Sequence, residues 1–551
     1  MPWQRYRFLF PIAAAVLTFA AFLPALQSDF LNWDDTTNFL RNNDYRGLGW
    51  DQLKWMWTSH LIGRYVPVTW MTLGLDYIIW KMNPFGYHLT NLLFHTANAL
   101  LFYFIAQALY RIAAARAKES EWRTSIAAFV AALVFAVHPL RVESVAWVTE
   151  RRDVVSGLFY LLAILLYICA YEGPDCPLRR KYYWASLAAF ALALLSKELA
   201  VTLPVVLLIL DIYPLHRLGD GPGRWTGAAF RRVCWEKLPF LALSVADTTL
   251  ALFIAHHEHS YKSLAGAGWG ARTAAATYSL AFYLWKTIAP IHLTPFYPLT
   301  PHKIDPWAAP LEISIAVVLS LFIAAVLLWR KFPALPTVCL AYAVTLFPVL
   351  GFLDNGPQIT ADRYSYLACL GLALLAGSVM LLWDPGNWRI PAVAGVVILA
   401  LAGLTWRQVQ VWRDSETLWS YSLAIEPSFL ANVNMGNLLM EKGDNLWAED
   451  HFRQAVEMRP DFPSAHLGLG STLLSLKKAD EAAREFQIAL RLGQVPEFAE
   501  NGLACSLALQ GKLDEAIVHF HEALRIQPKY KDAQRNLDQV LARKKKLESK
   551  P

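Results

Sequence analysis

The sequence predicts an all-α chain in two parts, a polytopic helical membrane domain followed by an α-solenoid. Three observations lead there. The 551 residues are 56% hydrophobic and 17% charged, too apolar for a soluble protein of this length. From Met1 to about Thr405, apolar runs near twenty residues recur, the length that crosses ~30 Å of hydrocarbon. From Trp406 onward the chain turns polar, and small residues return at a fixed interval of 34. The two domains are therefore drawn at 1–406 and 407–551.

Spans are expected near 7–26, 88–109, 125–139, 154–171, 183–196, 199–213, 238–255, 311–329, 335–350, 365–383 and 391–406. Several are short, as expected where helices pack on one another rather than face lipid alone. The first follows Arg5 and Arg7 as a signal peptide would, but Phe8 to Leu26 is long enough to span, which favours an uncleaved anchor. Basic residues then set orientation. Loops carrying Arg111, Arg116, Lys118 and Arg123, then Arg179, Arg180 and Lys181, then Arg217, Arg224, Arg231, Arg232 and Lys237, then Arg330 and Lys331, read as cytoplasmic. The long loop after the first span lies on the far side, as do 138–153, 196–198, 256–261 and 351–366. A twelfth apolar stretch, 273–290, would put Arg330 and Lys331 outside if it crossed, so it reads as re-entrant or interfacial. Eleven crossings from a cytoplasmic N-terminus place the C-terminal domain beside the first outer loop. The net charge of +6 belongs to these orientation loops and does not argue for nucleic acid. The six cysteines have neither zinc-ligand nor redox spacing, which argues against a disulfide framework.

In the C-terminal part, Ala431, Ala465, Ala499 and Ala533 are 34 residues apart. So are Ala448, Ala482 and Ala516; Phe452, Phe486 and Phe520; and Ala455, Ala489 and Ala523. Gly436 and Gly470 are followed by Ala504 at the same interval. Small residues at these places let two antiparallel helices pack closely while the Phe fills the next repeat. This is the tetratricopeptide period and pattern. Ser415 to Pro427 aligns as an earlier half-repeat, so the last membrane helix would run straight into the array. Lys529 to Lys550 reads as a capping helix, with Arg543 to Lys546 a solvated face.

Four far-side segments hold the polar residues close to the membrane. The first has Asp34 and Asp35 side by side, in Phe30-Leu31-Asn32-Trp33-Asp34-Asp35. Adjacent carboxylates in a low-dielectric setting invite a functional reading over a wet loop with two ordinary acids. The same loop has Trp50, Trp55, Trp57, His60, Arg64 and Tyr65, and its aromatic residues read as an interfacial belt ahead of a substrate cradle. The second runs from His138, Arg141 and Glu143 to Glu150-Arg151-Arg152-Asp153. Three far-side arginines suit either an anionic partner or internal pairing, Arg141 with Glu143 and Arg151 and Arg152 with Glu150 and Asp153. His138 alone is more often structural than catalytic. The third is Ser196-Lys197-Glu198, where Lys197 in isolation reads as a snorkelling lysine paired to its neighbour. The fourth, Asp362-Arg363-Tyr364-Ser365-Tyr366, puts an arginine at a helix mouth, suited to a phosphate or to a surface pair with Asp362. His256-His257-Glu258-His259 has metal-ligand residue types but consecutive spacing and no remote partner, so no metal site is assigned. No Walker loop, dinucleotide fingerprint or nucleophile elbow occurs in a fitting context.

Together these segments resemble the TMTC family, transmembrane and tetratricopeptide repeat proteins with a GT-C glycosyltransferase fold. The resemblance rests on Trp33-Asp34-Asp35, the run Phe85 to His95, His138 to Val148, Glu150-Arg151-Arg152-Asp153, Ser196-Lys197-Glu198, Phe296-Tyr297-Pro298 and Ala361 to Leu367, joined to the repeats. It covers nearly the whole chain and is closest to bacterial relatives, given the compact loops and few repeats. It implies a GT-C-type membrane domain and inverting transfer of a sugar, mannose, from a polyprenyl-phosphate donor to hydroxyls of extracytoplasmic proteins. Asp34 and Asp35 match the acidic motif of the first outer loop, from which related O-mannosyltransferases draw a general base. Arg363, Arg151, Lys197 and Arg141 are the implied donor-phosphate ligands, with His138, Glu150, Glu198, Asp362 and Tyr364 in support. No cofactor is required on this reading. A divalent ion at Asp34–Asp35 is not favoured, because no third acidic ligand is evident. The partners implied are the lipid-linked sugar, membrane lipid and an acceptor polypeptide held by the repeats. The location implied is a bacterial inner membrane, with the Asp-Asp loop and the repeats outside the cytoplasm. Two other readings stand beside it: transfer to a lipid or envelope polysaccharide, and a non-enzymatic scaffold that recruits proteins through its repeats. A transporter would carry its carboxylates inside spans near the midplane instead.

Overall fold

The computed structural model describes residues 8–114, 120–171, 178–219, 225–257, 268–305, 307–352, 358–384, 386–493 and 496–549. The chain forms two compact units, Met1–Asp414 and Ser415–Pro551. The division falls after the expected residue 406 because the last membrane helix continues to Val411 and ends in a turn.

The first unit runs α1 (Leu9–Ala21), α2 (Trp50–Thr58), α3 (Pro67–Trp80), α4 (Pro84–Ala114), α5 (Glu121–Ala136), α6 (Val142–Ala146), α7 (Arg151–Tyr171), α8 (Arg179–Leu194), α9 (Leu203–Ile212), α10 (Ala228–His257), α11 (Trp269–Ile288), α12 (Pro301–Ile304), α13 (Ala309–Leu328), α14 (Ala334–Leu346), α15 (Ser365–Ala368), α16 (Leu370–Ser378) and α17 (Arg389–Val411). Two short antiparallel strands, β1 (Tyr297–Pro298) and β2 (Gln358–Thr360), form the described sheet. Among the described residues, five helices are long and apolar enough to cross a bilayer, or seven if two bent pairs each count as one span. The bends are 57° between Glu121–Ala136 and Pro139–Ala146, and 58° between Asp362–Ala368 and Leu370–Leu382. The first break carries His138, and the short arm before the second, Asp362–Ala368, carries the Asp362 motif.

The outer segment expected as one long loop after the first span contains two helices, α2 and α3. Pro67 starts α3 with a preset φ. Trp70 and Leu73 of α3 pack with Phe39, Tyr45, Met56 and Tyr87 into one buried cluster. Aromatic packing therefore orders a stretch that has little span-like hydropathy. Trp55 joins it edge-on to Trp70 at 5.1 Å, whereas Trp50 is 80% exposed and fits the belt reading. Residues 273–288 of the 273–290 stretch, expected to re-enter or lie at the interface, belong to one unbroken 20-residue helix, α11. Its Ala275, Ala276, Ser279 and Tyr283 are buried, and the Tyr283 hydroxyl donates to the Ala361 carbonyl at 3.1 Å.

α4 explains the Phe85–His95 motif. His88, Asn91, His95 and Asn98 recur every three or four residues and share one buried face. The Asn91 amide donates to the carbonyls of Val145 (3.0 Å) and Trp147 (3.3 Å), and His95 Nε2 meets that of Ala136 at 2.9 Å. Those carbonyls lie at the breaks around α6, where helix hydrogen bonding stops. The polar stripe meets a need that the bilayer interior would leave open. At Gly157 a Cβ would stand 2.8 Å from the Tyr366 ring, so α7 approaches the Asp362 segment closely only because that position lacks a side chain.

The second unit runs α18 (Ser415–Ile425), α19 (Phe429–Lys442), α20 (Asn445–Met458), α21 (Pro463–Ser475), α22 (Ala479–Leu492), α23 (Pro496–Leu509), α24 (Leu513–Ile526) and α25 (Lys531–Glu548). The pairs α19/α20, α21/α22 and α23/α24 are the repeats, α18 the half-repeat and α25 the cap. The 34-spaced alanines and phenylalanines are buried as expected. Phe452 sits against Gly436 of its own repeat and Gly468 of the next, where a Cβ would come within 2.8 and 2.1 Å of the ring. Gly468→Leu is expected to destabilise this unit by about 1–3 kcal/mol through overpacking. Thermal unfolding of the repeat unit's helices checks this, and an unchanged midpoint would contradict the packing.

Candidate active site

The Asp34–Asp35 loop is pinned to the segment between α6 and α7. The Trp33 ring stacks on Trp147, centroids 4.3 Å apart and planes within 12°. Trp147 leans in turn on Trp412 at 5.9 Å. This stack fixes the two residues that follow Trp33, and it separates them.

Asp35 turns inward and is fully buried. One carboxylate oxygen accepts the Leu31 N–H at 3.0 Å; the other accepts the Thr149 N–H at 3.2 Å and its hydroxyl at 2.6 Å. The Asn38 amide donates to the same Thr149 hydroxyl at 3.1 Å. Asp35 is thus a clasp between two segments 114 residues apart. Burial pushes its carboxyl up to about 7, against the pull of the three donors. A carboxyl raised on folding contributes stability that is full below the ordinary 3.8 and is lost as pH rises through about 7. The difference corresponds to at most about 4 kcal/mol. The melting temperature in detergent is therefore expected to fall between pH 4 and 8, and Asp35→Asn to flatten that slope. An equal slope in the variant would rule this account out.

Asp34 turns the other way and is half-buried. Among the described residues no ion pair engages it. Surrounding protein raises its carboxyl above the ordinary range; Arg152 and Arg363, the strongest opposing charges, pull it down. Three cations act on it, Arg152, Arg363 and Arg64, and Lys197 joins their network through Glu150. Arg64 pairs with Glu198. Arg152 grips Glu150 by two bonds of 3.0 and 2.6 Å. Lys197 bridges Glu150 (3.1 Å) and Asp153 (2.6 Å). Arg363 pairs with Glu143, donates its backbone N–H to the same carboxylate at 2.9 Å, and reaches Glu150 at 3.2 Å. Four cations meet four carboxylates. Among the described residues Asp34, Asp35 and Asp362 have no ion pair, and of these Asp35 and Asp362 are buried and held by hydrogen bonds while Asp34 is half-buried. Glu150, fully buried, is the hub that three cations share. Arg64 and Arg152 keep side-chain exposures of 38% and 13%, so both can still meet a ligand.

The other expected site residues lie apart from this ring or support it. Arg151 is fully buried and faces away. It binds Asp76 at 2.6 Å, the Tyr87 carbonyl at 2.8 Å and the Asn91 amide oxygen. Its donors are engaged by protein, and its neighbour Arg152 takes the open position. Arg141 does not pair with Glu143; it donates to the Ser365 hydroxyl at 2.7 Å, with the Phe135 and Tyr366 rings each 5.6 Å away. His138 caps the turn before α6: Nδ1 accepts the Leu140 N–H at 3.2 Å, and Nε2 meets the Thr287 carbonyl at 2.9 Å. Asp362 accepts the Tyr297 hydroxyl at 3.0 Å, and the Tyr364 hydroxyl accepts the Gln358 amide at 2.9 Å. The β1–β2 ribbon, pairing Tyr297 with Thr360, therefore ties the Phe296-Tyr297-Pro298 motif to the segment that carries Arg363. Sequence reasoning did not assign Arg64, Arg152, Glu143, Asp153 or Thr149 to the site. Glu143, Arg152 and Asp153 sit within the charged motifs, and that adjacency is the signal that was there to use. Arg64, in the same loop as Asp34 but far along it, and the neutral Thr149 beside Glu150 carry no such charge signal. Glu258 and His259 of the histidine cluster lie outside the described residues. Among the described residues no three His, Cys, Asp or Glu side chains form a metal-holding group.

Fold and site together define an all-α integral membrane protein with an acid facing a ring of cations, followed by a tetratricopeptide array. The tetratricopeptide repeat model matches residues 433–495. The resemblance to transmembrane and tetratricopeptide repeat proteins is borne out by curated relatives. The chain is 26% identical to protein O-mannosyl-transferase Tmtc3 of Drosophila melanogaster, over 77% of this chain and 51% of that one. It is 25% identical to protein O-mannosyl-transferase TMTC1 of Homo sapiens, over 83% of this chain and 56% of that one. The chain thus spans about half the length of the curated relatives it matches. Among solved structures, ArnT from Cupriavidus metallidurans bound to undecaprenyl phosphate aligns with a TM-score of 0.38 and 14% identity, covering 94% of this chain and 80% of that one.

Proposed function

We propose that this chain is an inverting glycosyltransferase that moves a sugar, mannose, from a polyprenyl-phosphate donor to hydroxyls of extracytoplasmic proteins. The observation that carries the reading is Asp34, a half-exposed carboxylate that has no ion pair among the described residues and feels the charges of Arg152, Arg363 and Arg64. The O-mannosyl-transferase names of the relatives support the reaction class.

Each part has a task. An acceptor hydroxyl is a poor nucleophile until a positioned carboxylate takes its proton as attack proceeds. The hydroxyl oxygen bonds to the anomeric carbon, and the bond from that carbon to the phosphate oxygen breaks. Its electron pair stays on the lipid phosphate, and the acceptor proton goes to Asp34. The departing phosphate gains a negative charge and needs cations more than a proton. Arg152, Arg64 and Arg363 supply them, and guanidinium planes suit phosphate oxygens. Glu150 holds Arg152, Lys197 and Arg363 in register, and Asp35 fixes the loop that presents Asp34. The repeat array offers a concave surface for the acceptor polypeptide. The membrane is a bacterial inner membrane, with Asp34 on its outer side.

The test uses the purified full chain in detergent with radiolabelled polyprenyl-phosphate mannose and a mixed extract of envelope proteins. Label passing to protein supports the reading. Label that stays on lipid with every donor sugar tried would overturn it. Within the same assay, Arg152→Met is expected to raise the donor KM at least tenfold, about 1.4 kcal/mol, with the acceptor KM unmoved. A shift in the acceptor KM alone would remove Arg152 from the donor site.

A further inference from the structure

Each of the three full repeats places a polar pair at the same position of its helix pair, 19 residues apart: Asn432 with His451, His466 with Glu485, and Glu500 with His519. In the middle repeat the pair also holds a turn. His466 of α21 is 3% exposed. Its Nδ1 meets a Glu485 carboxylate oxygen of α22 at 2.7 Å, and its Nε2 meets the Pro460 carbonyl at 2.9 Å. Pro460 lies in the turn that joins α20 of the first repeat to α21 of the second. The same turn seats Phe462 edge-on against Phe429 of α19, ring centroids 4.8 Å apart.

Both partners of His466 are acceptors. A neutral imidazole carries one N–H and would set a lone pair against one of the two oxygens. The imidazolium donates to both. Burial works against that charge, but the Glu485 carboxylate and the Pro460 carbonyl outweigh it and hold His466 above its ordinary 6.5. The neighbouring elements present groups with partners of their own. α19 and α20 offer Asn432 and His451, bonded to each other, and α23 offers Glu500, bonded to His519. Arg459 and Asp461, on either side of Pro460, pair at 3.2 Å. Glu485 is the charge that acts on His466.

We infer that His466 is a pH-sensitive joint between the first two full repeats: protonated, it clamps the Pro460 turn to α22, and neutral, it must release either the turn or Glu485. The small rotation between successive repeats sets the curvature of an α-solenoid and the shape of its concave face. The joint therefore makes that face respond to pH. A histidine raised on folding contributes stability that is full below 6.5 and is lost as pH rises through its folded value. The joint belongs to the repeat unit and does not rest on the transferase reading.

The test uses the full chain in detergent. Deuterium exchange at the imidazole C2 position, read by mass spectrometry across pH, gives the pKa of each histidine separately. His466 is expected above 6.5 in the native chain and lower in Glu485→Gln. Backbone amide exchange in peptides covering 459–465, corrected for intrinsic rates, is expected to quicken about tenfold or more as pH rises through that value, the scale of one charge-assisted hydrogen bond. His466→Gln has no titrating ring and is expected to abolish this step, whereas His519→Gln, altered in the third repeat, retains it. Glu485→Gln keeps the ring and is expected to move the step to lower pH, which tests the joint even if His466→Gln fails to fold. A native His466 pKa at or below 6.5 overturns the proposal. So does a step that survives His466→Gln, or protection at 459–465 that does not vary with pH.

Discussion

Asp34→Asn is expected to lower sugar transfer at least 10²-fold in kcat, the usual scale for a lost general base, with membrane insertion and melting temperature essentially unchanged. The asymmetry with its neighbour is the reason. Asp34 is half-exposed, outside any ion pair, and its carboxyl is raised toward the range where a carboxylate is a better base. Asp35 holds three hydrogen bonds in a fully buried site. Asp35→Asn must turn an amide N–H₂ toward groups that are themselves donors, so about 1–3 kcal/mol of stability is expected to go. Its loss of activity then follows from a loosened loop. Parallel measurement of turnover and melting temperature separates the two. If Asp34→Asn kept wild-type turnover, or lost its fold along with its activity, the base would have to be sought elsewhere.

Glu150→Gln is expected to be as severe, by another route. The substitution keeps shape and volume but leaves Arg152, Lys197 and Arg363 sharing a neutral amide. Removing one partner from a buried charge cluster typically costs about 3–5 kcal/mol. Detergent-purified Glu150→Gln is therefore expected to melt well below wild type and to show negligible transfer. Lys197→Met, which removes one spoke and leaves the hub with two cations, is expected to cost less. A Glu150→Gln protein as stable as wild type would mean that the cations are compensated by solvent or ligand rather than by this carboxylate. Glu143 and Asp153 would then be the groups to alter next.

Much of the architecture is written in patterns that need no tertiary knowledge. A run of apolar residues is long enough to span or it is not, and a 34-residue recurrence of Ala, Gly and Phe specifies helix pairs that stack on their neighbours. Both follow from interactions within one element or between adjacent ones. The segments holding the polar residues near the membrane were legible for the same reason, since charge is rare in such a chain and its positions stand out. Helices α2 and α3 were less so, because aromatic packing against Tyr87 orders them rather than any periodicity of their own. Charge parity alone makes the α11 stretch re-entrant or interfacial; the tertiary structure shows one helix from Trp269 to Ile288, bonded to Ala361 through Tyr283 and to Tyr342 through the Leu280 carbonyl.

Within the site the division is sharper. Asp34 and Asp35 are equal as letters, and so are Arg151 and Arg152. Adjacent side chains on a helix or tight turn point about 100° apart, so one of each pair faces inward and the other outward. Which one does depends on partners far along the chain. Thr149, 114 residues on, claims Asp35 and leaves Asp34 open. Asp76, 75 residues back, claims Arg151 and leaves Arg152 for Glu150 and the site. Composition and spacing therefore establish that a chain of this kind carries acids and arginines at one membrane face. The roles of individual residues come from long-range burial, because a carboxylate or guanidinium left inside must find its counterpart wherever the fold has put one.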